Sequence, residues 1–142
     1  MSGSSGNTLR VWDVESGKVL KTLVGHSRPV RCVGFSANGK KIVSGSYDNT
    51  IKVWDVESGE ELKTLKGHNG IVYSVAFSPD DTYIVTGSYD TTLKVWHTES
   101  GELLQTLIEH TDQVNSVAWS PDGRYIVSGS DDAIVNIWFI EY

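Results

Sequence analysis

The sequence is poor in the residues that disulfide scaffolds and membrane proteins require. It has one cysteine and one methionine in 142 residues, and it contains no long uninterrupted apolar run. A lone cysteine cannot form an internal disulfide, and Cys32 lies in the apolar stretch 30–35, which favours a buried side chain in a reducing compartment. The opening MSGSSG lacks the basic and apolar regions of a signal peptide. We therefore expect a cytoplasmic protein without a membrane-spanning segment.

Positive charge and catalytic motifs are also scarce. The net charge is −6, and the 12 basic residues are scattered among 18 acidic ones, so no basic face for a nucleic acid is expected. The chain has no Gly-x-Ser-x-Gly elbow, no phosphate-binding loop and no His-Glu-x-x-His pair. The paired carboxylates Asp80-Asp81 and Asp131-Asp132 fall in predicted turns, where short polar side chains cap the backbone. We expect no enzyme activity and no cofactor.

What the sequence does have is a repeat. Its 14 glycines and 5 tryptophans accompany apolar residues that are mostly Val, Ile and Leu, which favours an all-β domain. One interval of 42 residues separates successive members of three groups. The groups are Trp12, Trp54, Trp96 and Trp138, then His26, His68 and His110, then Asp48, Asp90 and Asp132.

Each period predicts four short strands. In residues 25–66 these are VRCVGFS, KKIVSGS, TIKVWDV and EELKTLK, separated by turn residues such as Asn38-Gly39 and Ser58-Gly59. The third strand alternates, with Ile51 and Val53 on one side and Trp54 on the other. A single four-stranded sheet cannot cover both of its faces, so successive sheets must stack. A four-strand period of about 40 to 45 residues is typical of radial stacking in a β-propeller.

The pairs Gly25-His26 with Trp54-Asp55, and their counterparts one period later, resemble the WD-repeat propeller family. The chain departs from that pattern at Glu109, which replaces the glycine before His110, and at His97 and Phe139, which replace the Asp after Trp. The resemblance implies a buried Trp–Ser/Thr–His–Asp network in each blade. Its members are His26, Ser44, Asp48 and Trp54, then His68, Thr86, Asp90 and Trp96, then His110, Ser128, Asp132 and Trp138. Blades lie too far apart for these histidines to share a metal ion.

The resemblance also implies a binding surface at the mouth of the central channel. Mapped onto this sequence, its positions are Arg31, Tyr73 and Asn115 near the first strands, with Tyr47, Tyr89 and Asp131 before the turn aspartates. Tyr and Arg often dominate interfaces. The alternative is that Tyr47 and Tyr89 only shield the network beneath them. We expect a non-catalytic scaffold that binds an extended peptide or protein segment with a basic or aromatic anchor.

The repeats divide residues 1–142, a single propeller segment, into unequal parts. Residues 1–24 supply a third and a fourth strand, 25–66 and 67–108 are full repeats, and 109–142 lacks its fourth strand. About three four-stranded blades do not close a ring, so we expect homo-oligomerisation, with Val19–Val24 of one chain completing the last blade of another. A homodimer with six blades is favoured, and a trimer with nine is the alternative.

Three questions stay open at the level of sequence. Residues 8–14 and 133–140 compete for one third-strand position at the closure. The opening MSGSSG is either an expression remnant or a worn copy of the repeat, because it aligns with the stretch that begins at Val43. The rival to a binding scaffold is a structural or engineered self-assembling module, or a fragment of a larger propeller, with no dedicated ligand.

Overall fold

The computed structural model describes residues 2–3 and 6–141, and all regular elements in these ranges are β-strands. Fourteen strands form four antiparallel sheets, which confirms the all-β prediction. No helix that could cross a membrane occurs in this part of the chain. The sheets follow one another in chain order, and within each sheet strands that are consecutive in the chain are hydrogen-bonded neighbours.

Sheets 1 and 4 have three strands, and sheets 2 and 3 have four. Sheet 1 contains β1 (Ser2–Gly3), β2 (Thr8–Trp12) and β3 (Val19–Val24). Sheet 2 contains β4 (Val30–Phe35), β5 (Lys41–Ser46), β6 (Ile51–Asp55) and β7 (Glu61–Leu65). Sheet 3 contains β8 (Val72–Phe77), β9 (Tyr83–Ser88), β10 (Leu93–His97) and β11 (Leu103–Leu107). Sheet 4 contains β12 (Val114–Trp119), β13 (Tyr125–Ser130) and β14 (Val135–Phe139).

The pleat of each strand sends alternate side chains into two different apolar layers. Ile51 and Val53 of β6 pack toward sheet 3, in a layer that includes Val72 and Ile84. Trp54, on the opposite face of β6, packs toward sheet 1. A third layer of the same kind joins sheets 3 and 4. The hydrophobic effect therefore holds the four sheets face to face, because each internal sheet buries both of its faces.

Tight turns repeat at the same positions of each period. The turn from the second to the third strand places one residue at positive φ in all four sheets: Asn7 (65°), Asn49 (70°), Thr91 (75°) and Ala133 (67°). Gly39 and Gly123 adopt positive φ in the turn between the first two strands, and Asp81 takes that position in sheet 3 with φ 62°. Asn, Thr, Ala and Asp residues thus adopt the left-handed backbone conformation that normally favours glycine.

Sheet 4 leaves one apolar face uncovered by the described residues. Val135 and Ile137 are 69% and 73% exposed, whereas their counterparts one period earlier, Leu93 and Val95, are 0% and 3% exposed. Trp119, Tyr125, Val127 and Ile137, with Ser120, line an apolar groove of about 450 Å³ on this face. The exposed side chains of Tyr125, Val127, Val135 and Ile137 are unfavourable in water, so this face is a candidate docking surface.

Sheet 1 has one strand more than the two predicted for residues 1–24. β1 pairs with β2 so that Ser2 lies opposite Arg10, in the register in which Ser44 lies opposite Lys52 in sheet 2. Residues 2–3 therefore occupy a second-strand position. This placement agrees with the interpretation of the opening segment as a worn copy of the repeat. Leu9 and Val11 of β2 are buried against sheet 2.

Candidate binding surface

A continuous hydrogen-bonded chain connects the third strand of sheet 2 to the loop that precedes its first strand. The indole N–H of Trp54 donates to Ser44 Oγ at 2.9 Å, and Ser44 Oγ lies 2.7 Å from His26 Nε2. His26 Nδ1 lies 2.9 Å from Asp48 Oδ2. Since the carboxylate of Asp48 can only accept, the Nδ1–H of the neutral His26 ring donates to Asp48, and Nε2 accepts from the Ser44 hydroxyl. The chain fixes the tautomer of His26.

The same geometry recurs in sheets 3 and 4. His68 and His110 each lie 2.7 Å from the hydroxyl of Thr86 or Ser128, and 2.8 Å and 2.7 Å from the carboxylate of the turn aspartate. The structure therefore brings the twelve residues of the expected network together as three separate sets, one in each sheet. No group of His, Cys, Asp and Glu suited to a metal ion is found among the described residues.

The turn aspartates also hold the backbone. Asp48 accepts hydrogen bonds from the backbone N–H of Ser27 and of Thr50, and from the Thr50 hydroxyl at 2.6 Å. Burial alone would raise the pKa of Asp48, but the hydrogen bonds from Thr50 and His26 prevail and lower it to about 2. Burial lowers the pKa of His26, although Asp48 opposes this. The pair is therefore a neutral imidazole and a carboxylate at neutral pH.

The thiol of Cys32 is unreactive at neutral pH. Its side chain packs against the apolar layer between sheets 2 and 3, and burial raises the pKa of the thiol to about 12. The thiol therefore stays protonated at neutral pH. This agrees with the expectation of a buried, unreactive side chain.

The six predicted binding residues lie at the same end of the strands in sheets 2, 3 and 4. Arg31, Tyr73 and Asn115 are each the second residue of a first strand, and Tyr47, Tyr89 and Asp131 each follow directly after a second strand. First and second strands are antiparallel, so the start of a first strand and the end of a second strand lie side by side, and the two sets of residues meet there. We call the six residues the tyrosine surface: Arg31, Tyr47, Tyr73, Tyr89, Asn115 and Asp131.

Side-chain contacts join members of the tyrosine surface both between neighbouring sheets and within one sheet. The guanidinium carbon of Arg31 in sheet 2 lies 5.3 Å from the ring centroid of Tyr73 in sheet 3, which is cation–π geometry. Asn115 Nδ2 donates to Asp131 Oδ1 at 2.5 Å in sheet 4. Burial raises the pKa of Tyr73, and Tyr47, Tyr89 and Asp131 raise it further while Arg31 lowers it. These side chains therefore lie close enough to Tyr73 to influence its ionisation.

Tyr47 and Tyr89 are 39% and 57% exposed to solvent. Gly70 allows the ring of Tyr89 to lie close, because a Cβ on Gly70 would come within 3.2 Å of Tyr89 Cδ1. More than half of Tyr89 nevertheless faces solvent. The exposed area of Tyr89 is available to a ligand, and shielding of the network by the inner side of the ring is compatible with this exposure.

Some contacts between sheets are missing from the sequence prediction. The carboxylate of Asp81 in sheet 3 accepts hydrogen bonds from the backbone N–H of Ala37 at 2.6 Å and of Asn38 at 3.1 Å in sheet 2. Trp119 in sheet 4 donates its indole N–H to the carbonyl of Ala76 in sheet 3 at 3.3 Å. The sequence signal was present at Asp81, where an acidic residue replaces the glycine found at positions 39 and 123.

Tandem four-stranded antiparallel sheets, each with a buried Trp–Ser/Thr–His–Asp network, define the class of WD-repeat blades. The family model for the WD domain, G-beta repeat, matches residues 17–55, 59–97 and 101–138. This chain belongs to the WD40 repeat family, which confirms the resemblance seen in the motifs. WD repeats in general mediate protein–protein interactions and are typically non-catalytic.

Curated relatives share single repeats with this chain. A segment of 43 residues is 51% identical to the nuclear distribution protein PAC1 of Mycosarcoma maydis, and covers 30% of the chain and 10% of that protein. A match to autophagy-related protein 16 of Arabidopsis thaliana is 42% identical over 43 residues and covers 30% of the chain and 8% of that protein. A third is 49% identical over 39 residues to the F-box-like/WD repeat-containing protein TBL1X of Mus musculus, covering 28% and 7%. The chain spans a tenth or less of the relatives it matches.

Proposed function

We propose that this chain is a non-catalytic interaction scaffold that pairs with a second copy to close a six-bladed ring and binds an extended peptide or protein segment on the tyrosine surface. The observation that carries the binding half is the convergence of Arg31, Tyr73 and Tyr89 at one exposed edge. Tyrosine and arginine supply large contact areas at low entropic cost, and they are enriched among residues that dominate binding energy.

The charges of the tyrosine surface favour a basic anchor on the ligand. Arg31 lies over Tyr73, and this cation–π contact supports a similar contact between a ligand cation and the ring of Tyr89. Tyr89 is exposed, and the carboxylate of Asp131 is among the charges that act on Tyr73. A ligand Arg or Lys placed between Tyr89 and Asp131 would gain both a ring and a carboxylate.

A binding experiment tests this half of the proposal. The purified chain is titrated with a panel of extended peptides that carry Arg, Lys, Trp or Ala at one central position. A peptide with Arg or Lys should bind, and Tyr73→Ala with Tyr89→Ala should weaken that binding at least tenfold. The matched control removes two exposed leucines from the fourth strands, Leu62→Ala with Leu104→Ala, and should leave affinity unchanged. Undiminished affinity in the tyrosine variant would contradict the proposal.

The uncovered face of sheet 4 supports the self-association half. Val135, Ile137 and their neighbours would expose apolar area that every internal sheet buries. Sedimentation equilibrium on the 142-residue chain measures the outcome directly. A mass of two chains is expected at micromolar concentration. A mass of three chains would support the nine-bladed alternative, and a stable monomer would contradict self-association.

A further inference from the structure

The two strands that open the chain have the same pairing as the two strands that close it. β1 pairs with β2 in the register in which β13 pairs with β14, at positions three periods apart. The equivalent partners are Ser2 with Arg10 and Ser128 with Asn136, then Gly3 with Leu9 and Gly129 with Val135. The turns also match, since Asn7 and Ala133 both adopt positive φ.

The apolar side chains of these strands are interchangeable in volume. Leu9 and Val11 of β2 are buried against sheet 2, at 0% and 8% exposure. Their counterparts on β14, Val135 and Ile137, are exposed. A leucine with a valine, and a valine with an isoleucine, contain the same number of carbon atoms. The site on sheet 2 that now holds Leu9 and Val11 therefore accepts Val135 and Ile137 with little change in packed volume.

β3 offers β14 the partner that it lacks. β2 pairs with β3 so that Arg10 lies opposite Thr22, the register in which Lys94 of β10 lies opposite Thr106 of β11. β14 is the last strand of sheet 4, so one of its edges has no strand beside it among the described residues. If β14 took the place of β2, Asn136 would lie opposite Thr22.

We propose that β1 and β2 are a placeholder: within one chain they occupy the position that β13 and β14 of a second copy take when two chains associate. In the associated state β12, β13 and β14 of one copy and β3 of the other form one four-stranded blade, and β1 and β2 are displaced. This inference rests on the proposed self-association, and it answers which of the two competing third strands is used at the closure.

Exchange gains more contacts than stacking of sheet 4 on an intact sheet 1. Stacking would leave both sheets with three strands, and the edge of β14 would keep its backbone groups without a strand partner. Exchange pairs that edge with β3 and brings Val127, Val135 and Ile137 against sheet 2. What is lost is the burial of Leu9 and Val11, the pairing of β2 with β3, and the two-residue strand β1. The free energy of packing and pairing therefore favours exchange, because β13 and β14 together are longer than β1 and β2.

Disulfides placed at Thr22 distinguish the two arrangements. Arg10→Cys with Thr22→Cys joins β2 to β3 within one chain and prevents displacement, because directly opposed residues are within disulfide reach. Asn136→Cys with Thr22→Cys can form only between copies that have exchanged. Lys94→Cys with Thr106→Cys is the matched control, at the same register inside sheet 3. The buried thiol of Cys32 stays out of the exchange.

The masses of these variants by sedimentation equilibrium decide the question. We expect the oxidised Arg10/Thr22 variant to be monomeric at a concentration where the unmodified chain and the control are dimers, and reductant to restore its dimer. The Asn136/Thr22 variant should give a covalent dimer on a non-reducing gel. An oxidised Arg10/Thr22 variant that still forms dimers would overturn the exchange while self-association stands. An unmodified chain that never associates would overturn both.

Discussion

Gly87 and Val114 meet across the boundary between sheets 3 and 4. A Cβ added to Gly87 would lie 2.7 Å from Cγ1 of Val114, closer than carbon atoms approach in proteins. Gly45 stands in the same relation to Val72 one period earlier, at 2.5 Å. Gly129 is the third member of the series, and a Cβ there would meet nothing within 4 Å.

Gly87→Ala should lower the free energy of unfolding by about 1–3 kcal/mol, because the added methyl overpacks the boundary between two sheets. Gly129→Ala is the matched substitution on the uncovered face, and it should leave the unfolding of the monomer unchanged. In the proposed dimer, Val30 of a second copy would pack on Gly129 as Val72 packs on Gly45 and Val114 on Gly87. Gly129→Ala should then also weaken dimerisation. Urea unfolding and sedimentation equilibrium measure the two effects. Equal unfolding losses at Gly87 and Gly129 would contradict this account.

His68→Ala should destabilise the chain because it leaves the Thr86 hydroxyl and the Asp90 carboxylate without their shared partner. The expected loss is about 1–3 kcal/mol for each orphaned buried group. His97→Ala is the control, since His97 is the half-buried last residue of β10, and its ring, which contacts Ser100 and the ring of Tyr83, belongs to no Trp–Ser/Thr–His–Asp network. Thermal or urea unfolding measures both. An unchanged melting temperature for His68→Ala would count against a stabilising network.

Acid should lower the melting temperature in two steps. The pKa of His26 is below its usual 6.5 in the folded chain because of burial, so the unfolded chain takes up the proton first and stability falls as the pH drops below about 6.5. The pKa of Asp48 is about 2 instead of 3.8, so its contribution is present above about pH 4 and is lost toward pH 2.

Variants separate the two acid steps. His26→Gln should reduce the upper step. Asp48→Asn should reduce the lower step but not abolish it, because hydrogen bonds from His68 and Thr92 overcome the effect of burial and also lower the pKa of Asp90. Melting temperatures recorded from pH 8 to pH 2 provide the test. A pH-independent melting temperature between pH 7 and pH 5 would contradict the assignment for His26.

Asp81→Ala should destabilise the contact between the first turns of sheets 2 and 3. It removes the acceptor for the N–H groups of Ala37 and Asn38 and places alanine at positive φ, for an expected loss of about 1–2 kcal/mol. Asp81→Gly removes the same acceptor without the backbone strain, so it should cost about 1 kcal/mol less. Denaturant midpoints of the two variants test this order. The reverse order would show that backbone strain at position 81 is negligible.

Most of the fold could be predicted from local sequence patterns, because the alternation that marks a strand lies within the strand itself. The alternation of Ile51 and Val53 with Trp54 was enough to predict β6 and its two faces. The network could be placed because the family resemblance supplied the partners and the interval of 42 residues transferred them to the next repeats. The strand β1 was not predicted, since a two-residue strand in a segment rich in Ser and Gly has no periodicity of its own.

Contacts between repeats were harder to predict than contacts within them. The stacking of Arg31 on Tyr73, and the hydrogen bonds from Ala37 and Asn38 to Asp81, join equivalent or nearly equivalent positions of neighbouring sheets. Such pairs depend on the offset between stacked sheets, which the sequence of one repeat does not encode. The edge on which Tyr73 and Tyr89 lie could be predicted, whereas the depth and direction of their rings could not.

Each Trp–Ser/Thr–His–Asp network begins and ends inside its own sheet, and the polar bonds that cross between sheets, in turns or between first strands, are not part of it. The network of one period is therefore complete by itself, and the period relies on its neighbours for apolar cover and for a few hydrogen bonds outside the network. Duplicating residues 67–108 in place should then lengthen the chain by one intact sheet without unsatisfied buried groups. Gain or loss of whole units is thus a small step for a gene of this kind, and ring size is open to change by recombination.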